Sequence, residues 1–178
     1  MAKRNRQRKK MQPMSTKRAV ILLILCALMV ASRWYLGPEP AQVSSADIPA
    51  YSGAAYVELD GNQPNFTQDD LTTEAFERYS ELDSLGRCGV AYANICRELM
   101  PNGPRGEIGS VKPSGWVTAK YDVIEGKYLY NRCHLIGFQL AGENANDKNL
   151  ITGTRYMNVT GMLPFENDVA DYVDDTNN

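Results

Sequence analysis

The sequence predicts an α+β domain built on a mostly antiparallel sheet. Three observations carry this. Short apolar-polar alternations recur at "YVELDGN" (56–62), "CGVAYANIC" (88–96) and "WVTAKYDVIEGKYLYNRCHLI" (116–136), each bounded by turn residues. The last of these contains Glu125-Gly126, which suits the turn of a hairpin. Finally, "GMLPFENDVADYV" (161–173) places Phe165, Val169, Tyr172 and Val173 at helical spacing behind a proline, a residue tolerated in a first helical turn.

In chain order, the first segment is set apart by charge. Residues 1–18 hold eight Lys/Arg and no acid. The remainder therefore carries 19 − 8 = 11 basic against 21 acidic residues, a net of −10. "AVILLILCALMVA" (19–31) follows without a charge. A basic flank before an apolar run reads as a signal peptide or a short signal anchor over 19–36, rather than a nucleic-acid arm. On this reading 1–18 is a cytoplasmic tail and the rest lies outside the cytoplasm, secreted or anchored. Residues 37–55, rich in Pro, Ser, Ala and Gly, read as a linker, and 56–178 as the folded domain.

Within that domain, 56–62 is expected as a strand closed by the Asp60-Gly61 turn. "TQDDLTTEAFERYSEL" (67–82) is expected to contain a helix capped by Thr67. A second strand covers 88–96. Residues 100–115, with four glycines and three prolines, form a long loop. The hairpin, the polar loop "AGENANDKN" (141–149), the segment "NLITGTRYMN" and the terminal helix complete the order. Cys88 and Cys96 lie too far apart along a straight strand to bond, since a disulfide needs Cα atoms about 4.4–6.8 Å apart. Cys133 is left able to pair with either. One histidine and no closely spaced cysteine pair make a poor zinc site.

That histidine lies in Asn131-Arg132-Cys133-His134, and Asn149, Asn158 and Glu166 follow at intervals of nine and eight. The pattern resembles the DNA/RNA non-specific endonucleases, the ββα-metal nucleases, in their DNA-entry branch. Those enzymes carry Asp-Arg-Gly-His, then an asparagine, a second asparagine nine residues on and a glutamate eight beyond that. Here Asn131 stands for the Asp and Cys133 for the Gly. A weaker likeness through "GRCGVAYANI" and "RGEIGSVKPSGW" extends back to about residue 55. The resemblance implies a ββα-metal core, Mg²⁺ (with Mn²⁺ as an alternative) and no small-molecule cofactor. It implies DNA as substrate, RNA as a second one, and a membrane contact through 19–36 if that segment stays uncleaved. Relatives continue with further strands after the helix, so the chain is expected to be truncated at its C-terminus.

The chemistry suits these residue types. Neutral imidazole accepts a proton near neutral pH, which makes His134 the candidate general base. Mg²⁺ keeps most of its waters and needs only one or two protein oxygens, so Asn158 suffices as the direct ligand. Glu166, about two helical turns on, would accept hydrogen bonds from the metal's waters. Asn149 would fix the histidine strand or those waters, although it also suits a turn cap. Arg132 would fork onto phosphate. In a strand Arg132 and His134 share one face and Cys133 the other, which argues against a Cys133–His134 thiol dyad. "NVT" at Asn158 is also formally a glycosylation sequon. The rival functions are a tethered nucleic-acid-binding protein without catalysis and a fragment that does not fold alone.

Overall fold

The computed structural model describes residues 15–36, 45–64 and 66–177. Most of the basic tail, and residues 37–44 of the 37–55 linker, lie outside them. The chain divides into two compact units, Met1–Glu39 and Pro40–Asn178.

The first unit contains α1, Thr16–Leu36. It is free of glycine and proline and rich in Leu and Ala, the residues that lose least on entering a helix. Its apolar side chains from Val20 to Met29 are mostly exposed. Side chains past Met29 lie outside the described residues. Among the described residues no helix is long and apolar enough to cross a membrane.

The second unit begins with an expected strand that does not form. Residues 56–59 are irregular, and Tyr56 and Val57 stay exposed. Among the described residues no strand pairs with them. The turn is where the sequence puts it: Asp60, Gly61 and Asn62 all have positive φ. The expected helix at 67–82 is also replaced. Thr67 donates through both its N–H and its hydroxyl to Asp70, at 2.6 and 2.7 Å, closing only one 3₁₀ turn. The chain then extends into β1, Phe76–Tyr79, which pairs antiparallel with β2, Ala91–Asn94, with Arg78 opposite Tyr92. "FERY" is a poor helix and a good half-buried strand once β2 is beside it: Phe76 meets Tyr92 edge-on at 5.0 Å.

The hairpin is partial. Lys120 and Tyr128 form one antiparallel bridge, and Gly126 and Lys127 take the left-handed turn conformations. The continuous ladder belongs instead to β3, Tyr130–His134, and β4, Leu150–Thr154, in register His134 opposite Leu150 and Tyr130 opposite Thr154. Between them lies an unforeseen single-turn helix, α2, Phe138–Ala141, ended by left-handed Gly142. After β4 the chain makes π-helical turns over Met157–Met162 and runs into α3, Leu163–Thr176, with Pro164 in its first turn as expected.

The buried centre is Ile136, Leu140 and Ala141, packed by Tyr79, Ala91, Ala93 and Ile95 of the first sheet's neighbourhood and Ala170 of α3. This corrects the expected helix face. Phe165, Val169 and Tyr172 are exposed, and only Val173 of that set is buried. The inward row is Glu166, Ala170 and Val173, spaced i, i+4, i+7 and rotated one position from the apolar stripe. Tyr56 covers part of Phe165, edge-on at 4.8 Å.

All four cysteines are free thiols. Cys133 is fully buried, and burial pushes its thiol up to about 11. A Cβ on Gly153 would lie 2.6 Å from its sulfur. The bulk at 133 is thus accommodated by a glycine on the paired strand.

Candidate active site

β3 delivers His134 at its last position, nearly buried. Its Nε2 lies 2.8 Å from the Asn144 carbonyl, an acceptor only, so Nε2 carries the proton. The lone pair is then on Nδ1, where the Arg105 guanidinium approaches to 3.3 Å. Burial is the main force holding the imidazole below its ordinary value. The Asn144 carbonyl opposes the shift and the Arg105 charge reinforces it. His134 therefore has one nitrogen fixed by the fold and the other beside a cation.

Asn144 is the hub of this corner. Its carbonyl holds His134, while its side-chain oxygen accepts from the Gly106 N–H at 2.8 Å. The loop carrying Arg105 is thereby tied to the loop that orients the histidine. Neither Arg105 nor Asn144 stands out in the sequence as a site residue. Arg105 sits in the glycine- and proline-rich stretch 100–115, where no periodicity points at a partner.

Asn149 is fully buried and reads the backbone rather than solvent. Its oxygen accepts from Ile136 N–H at 2.8 Å and its nitrogen donates to Ile136 C=O at 3.0 Å. The side chain thus acts as a strand partner for the residues just past His134, and Leu135 N–H adds a bond to the Asn149 carbonyl at 2.9 Å. Both side-chain amide atoms thus bond the segment that continues the strand of His134. Arg132 is likewise committed. Nε and Nη2 donate to the carbonyls of Val111 and Gly109, at 2.5 and 3.1 Å, and the guanidinium lies 3.8 Å over the Trp116 ring. Two N–H groups of the fork expected for phosphate hold the 109–116 loop, and Arg105 is the cation beside His134.

Asn158 and Glu166 lie on the continuous π-to-α helical run. In a pure α-helix eight residues overshoot two turns by about 80°. The wider i→i+5 turns over 157–162 take up extra residues and bring the two positions closer to one face. Both side chains are half-buried, and neither makes a hydrogen bond among the described residues. Burial pushes the Glu166 carboxyl up, partly countered by the Arg105 charge. It lies close against Gly137, where a Cβ would meet Oε2 at 2.6 Å. Among the described residues no three His, Cys, Asp or Glu converge on a metal position. One amide oxygen and one nearby carboxylate fit a cation that keeps its waters.

A paired strand ending in a buried histidine, followed by a second strand and a helix carrying an amide and a carboxylate, defines a ββα site. The DNA/RNA non-specific endonuclease family matches residues 64–178, and the chain belongs to that family. In solved structures it is similar to NucA from Streptococcus agalactiae with a magnesium ion bound, at TM-score 0.57 and 26% identity, over 67% of this chain and 59% of that one. NucA with no metal bound superposes at 0.56 with 24% identity, over 66% and 58%. This chain therefore spans less than two thirds of those structures. No curated protein matches it.

Proposed function

We propose that the chain is a Mg²⁺-dependent, largely sequence-non-specific endonuclease that hydrolyses phosphodiester bonds of DNA, and of RNA as a second substrate, outside the cytoplasm. The observation that carries it is His134: buried, with Nε2 held by a carbonyl and the Nδ1 lone pair, which Arg105 contacts, as the proton acceptor. Nδ1 takes a proton from water as the water oxygen attacks phosphorus. The P–O bond opposite breaks, and the departing oxygen takes a proton from solvent. Arg105, beside Nδ1, is placed to bind a phosphate oxygen and orient the ester for that attack. Asn158 would hold the metal by its amide oxygen and Glu166 would orient its waters. The bound cation would supply positive charge to the phosphate and to the departing oxygen. Asn149 and Arg132 act as positioning residues, one on the histidine strand and one on the 109–116 loop.

Export is supported by the basic run before an apolar helix whose described side chains are exposed. Residues 19–36 would then be a signal or anchor.

The experiment is plasmid cleavage by the full chain with and without Mg²⁺. His134→Ala should lower turnover about 10²–10⁴-fold with little change in DNA binding, and imidazole should partly restore His134→Gly. Wild-type turnover in His134→Ala would refute the base assignment. DNA binding without cleavage by the wild type would favour the rival, a binding protein.

A further inference from the structure

A cavity of about 470 Å³ lies beside the segment that Arg132 holds. It is lined by Leu82 and Leu85 of one loop, by Val111, Lys112 and Pro113 of another, and by Asp147. Both loops are rigid by construction. Asp83 accepts from Leu85 N–H at 2.8 Å, from Arg87 N–H at 2.9 Å and from Arg87 Nε at 2.6 Å, closing the first loop on itself. Ser114 then ties the two loops together by donating to the Leu85 carbonyl at 2.9 Å. The Asp147 carbonyl accepts from the Cys88 thiol at 3.3 Å.

The cavity is also coupled to the site. The Val111 carbonyl in its wall receives Arg132, two residues before His134. Asp147 lies three residues after Asn144, whose carbonyl receives His134. The volume falls within the about 300–1,000 Å³ usual for small-molecule sites. Leu82, Leu85, Val111 and Pro113 give the lining aliphatic surface, which suits the face of an uncharged ring. One lysine and one aspartate leave the cavity without net charge, which disfavours a phosphate inside it and places the cation at the margin.

We propose that this cavity holds the unpaired nucleobase of a nucleotide flanking the cleaved bond, with Lys112 on the adjoining phosphate. The inference rests on the nuclease reading for its substrate and adds a base-binding subsite to it. A base must leave its stack to enter, so a single-stranded or locally opened strand is the form bound.

The test uses the full chain in magnesium-free buffer, titrated with deoxyguanosine 5′-monophosphate and with deoxyribose 5-phosphate, which lacks the base. The nucleotide should bind and the base-free sugar phosphate should not at matched concentration. Leu85→Asp should weaken the nucleotide at least about tenfold by putting a charge against the ring face. Leu85 is 66% exposed, so the variant should melt with the wild type. Lys112→Ala should weaken binding less, and only at low salt. Equal binding of the two ligands, or nucleotide binding untouched by Leu85→Asp, would overturn the proposal. A wild type that cuts no DNA would remove the nuclease reading, while the titration would still decide what the cavity holds.

Discussion

Replacing Asn149 by Ala removes both bonds that hold Ile136, the N–H at 2.8 Å and the C=O at 3.0 Å, inside a region where Asn149 itself has no exposure. A buried backbone group left without a partner costs about 1–3 kcal/mol. Two of them, plus the small void, predict a loss of about 3–5 kcal/mol, a large share of the about 5–15 kcal/mol of a typical domain. Urea unfolding followed by circular dichroism measures it. Asn149→Leu refills the volume without restoring the bonds, so it should recover little. Asn149→Asp keeps an acceptor for the N–H but sets a second oxygen against the Ile136 carbonyl, and should be no better than Ala. Where folded protein remains, the fall should be in kcat more than KM, because His134 sits two residues from the freed backbone. An Asn149→Ala protein within about 0.5 kcal/mol of wild type would refute the clamp.

Four further outcomes follow from the same geometry. The acid limb of kcat/KM should lie below the ordinary histidine value near 6.5, because burial, and secondarily Arg105, disfavour the charged imidazole; Arg105→Ala should move that limb upward while also raising KM. The matching stability effect has a fixed sign: with the folded value below the unfolded one, the unfolded chain binds more protons, so stability falls as pH drops through about 6.5, a dependence that His134→Gln should remove. Asn158→Ala should raise the Mg²⁺ concentration needed for half-maximal cleavage without changing the melt by more than about 1 kcal/mol, read by titrating the metal at fixed substrate. Gly137→Ala should displace the Glu166 carboxylate, whose oxygen lies 2.6 Å from the new Cβ, and so lower activity while leaving thermal unfolding within a few degrees; wild-type rates would show that the Glu166 position is unimportant.

Several elements were legible because local chemistry fixed them. β2, the 100–115 loop, the Asp60-Gly61 turn and Pro164 in the first turn of α3 all stand where sequence places them. The failures are short elements whose state depends on a distant partner. "FERY" becomes a strand because β2 offers it a ladder, and "YVEL" remains irregular because nothing does. The site divides in the same way. His134, Asn158 and Glu166 stand out in the sequence because one stretch of spaced residues carries them. Arg105 reaches His134 across 29 residues through a loop that has no pattern, held by an asparagine whose role is half backbone.

The one-position rotation of α3 turns a carboxylate inward in place of the apolar stripe. A stripe of Phe165, Val169 and Tyr172 would bury more apolar surface than Glu166, Ala170 and Val173, so hydrophobic burial alone selects the wrong face. The structure instead brings a carboxylate inward, where burial raises its pKa and Arg105 partly compensates. Small Ala170 lets the helix approach Ile136, Leu140 and Ala141 closely, and Gly137 leaves room for the Glu166 side chain. An inward carboxylate without a hydrogen bond is costly in a packed domain unless a cation stands near it. The π-helical turns contribute to the same end, since they rotate Asn158 toward the face that Glu166 occupies. Both departures from ideal packing, the wider helix and the half-buried acid, lie on one continuous helical run.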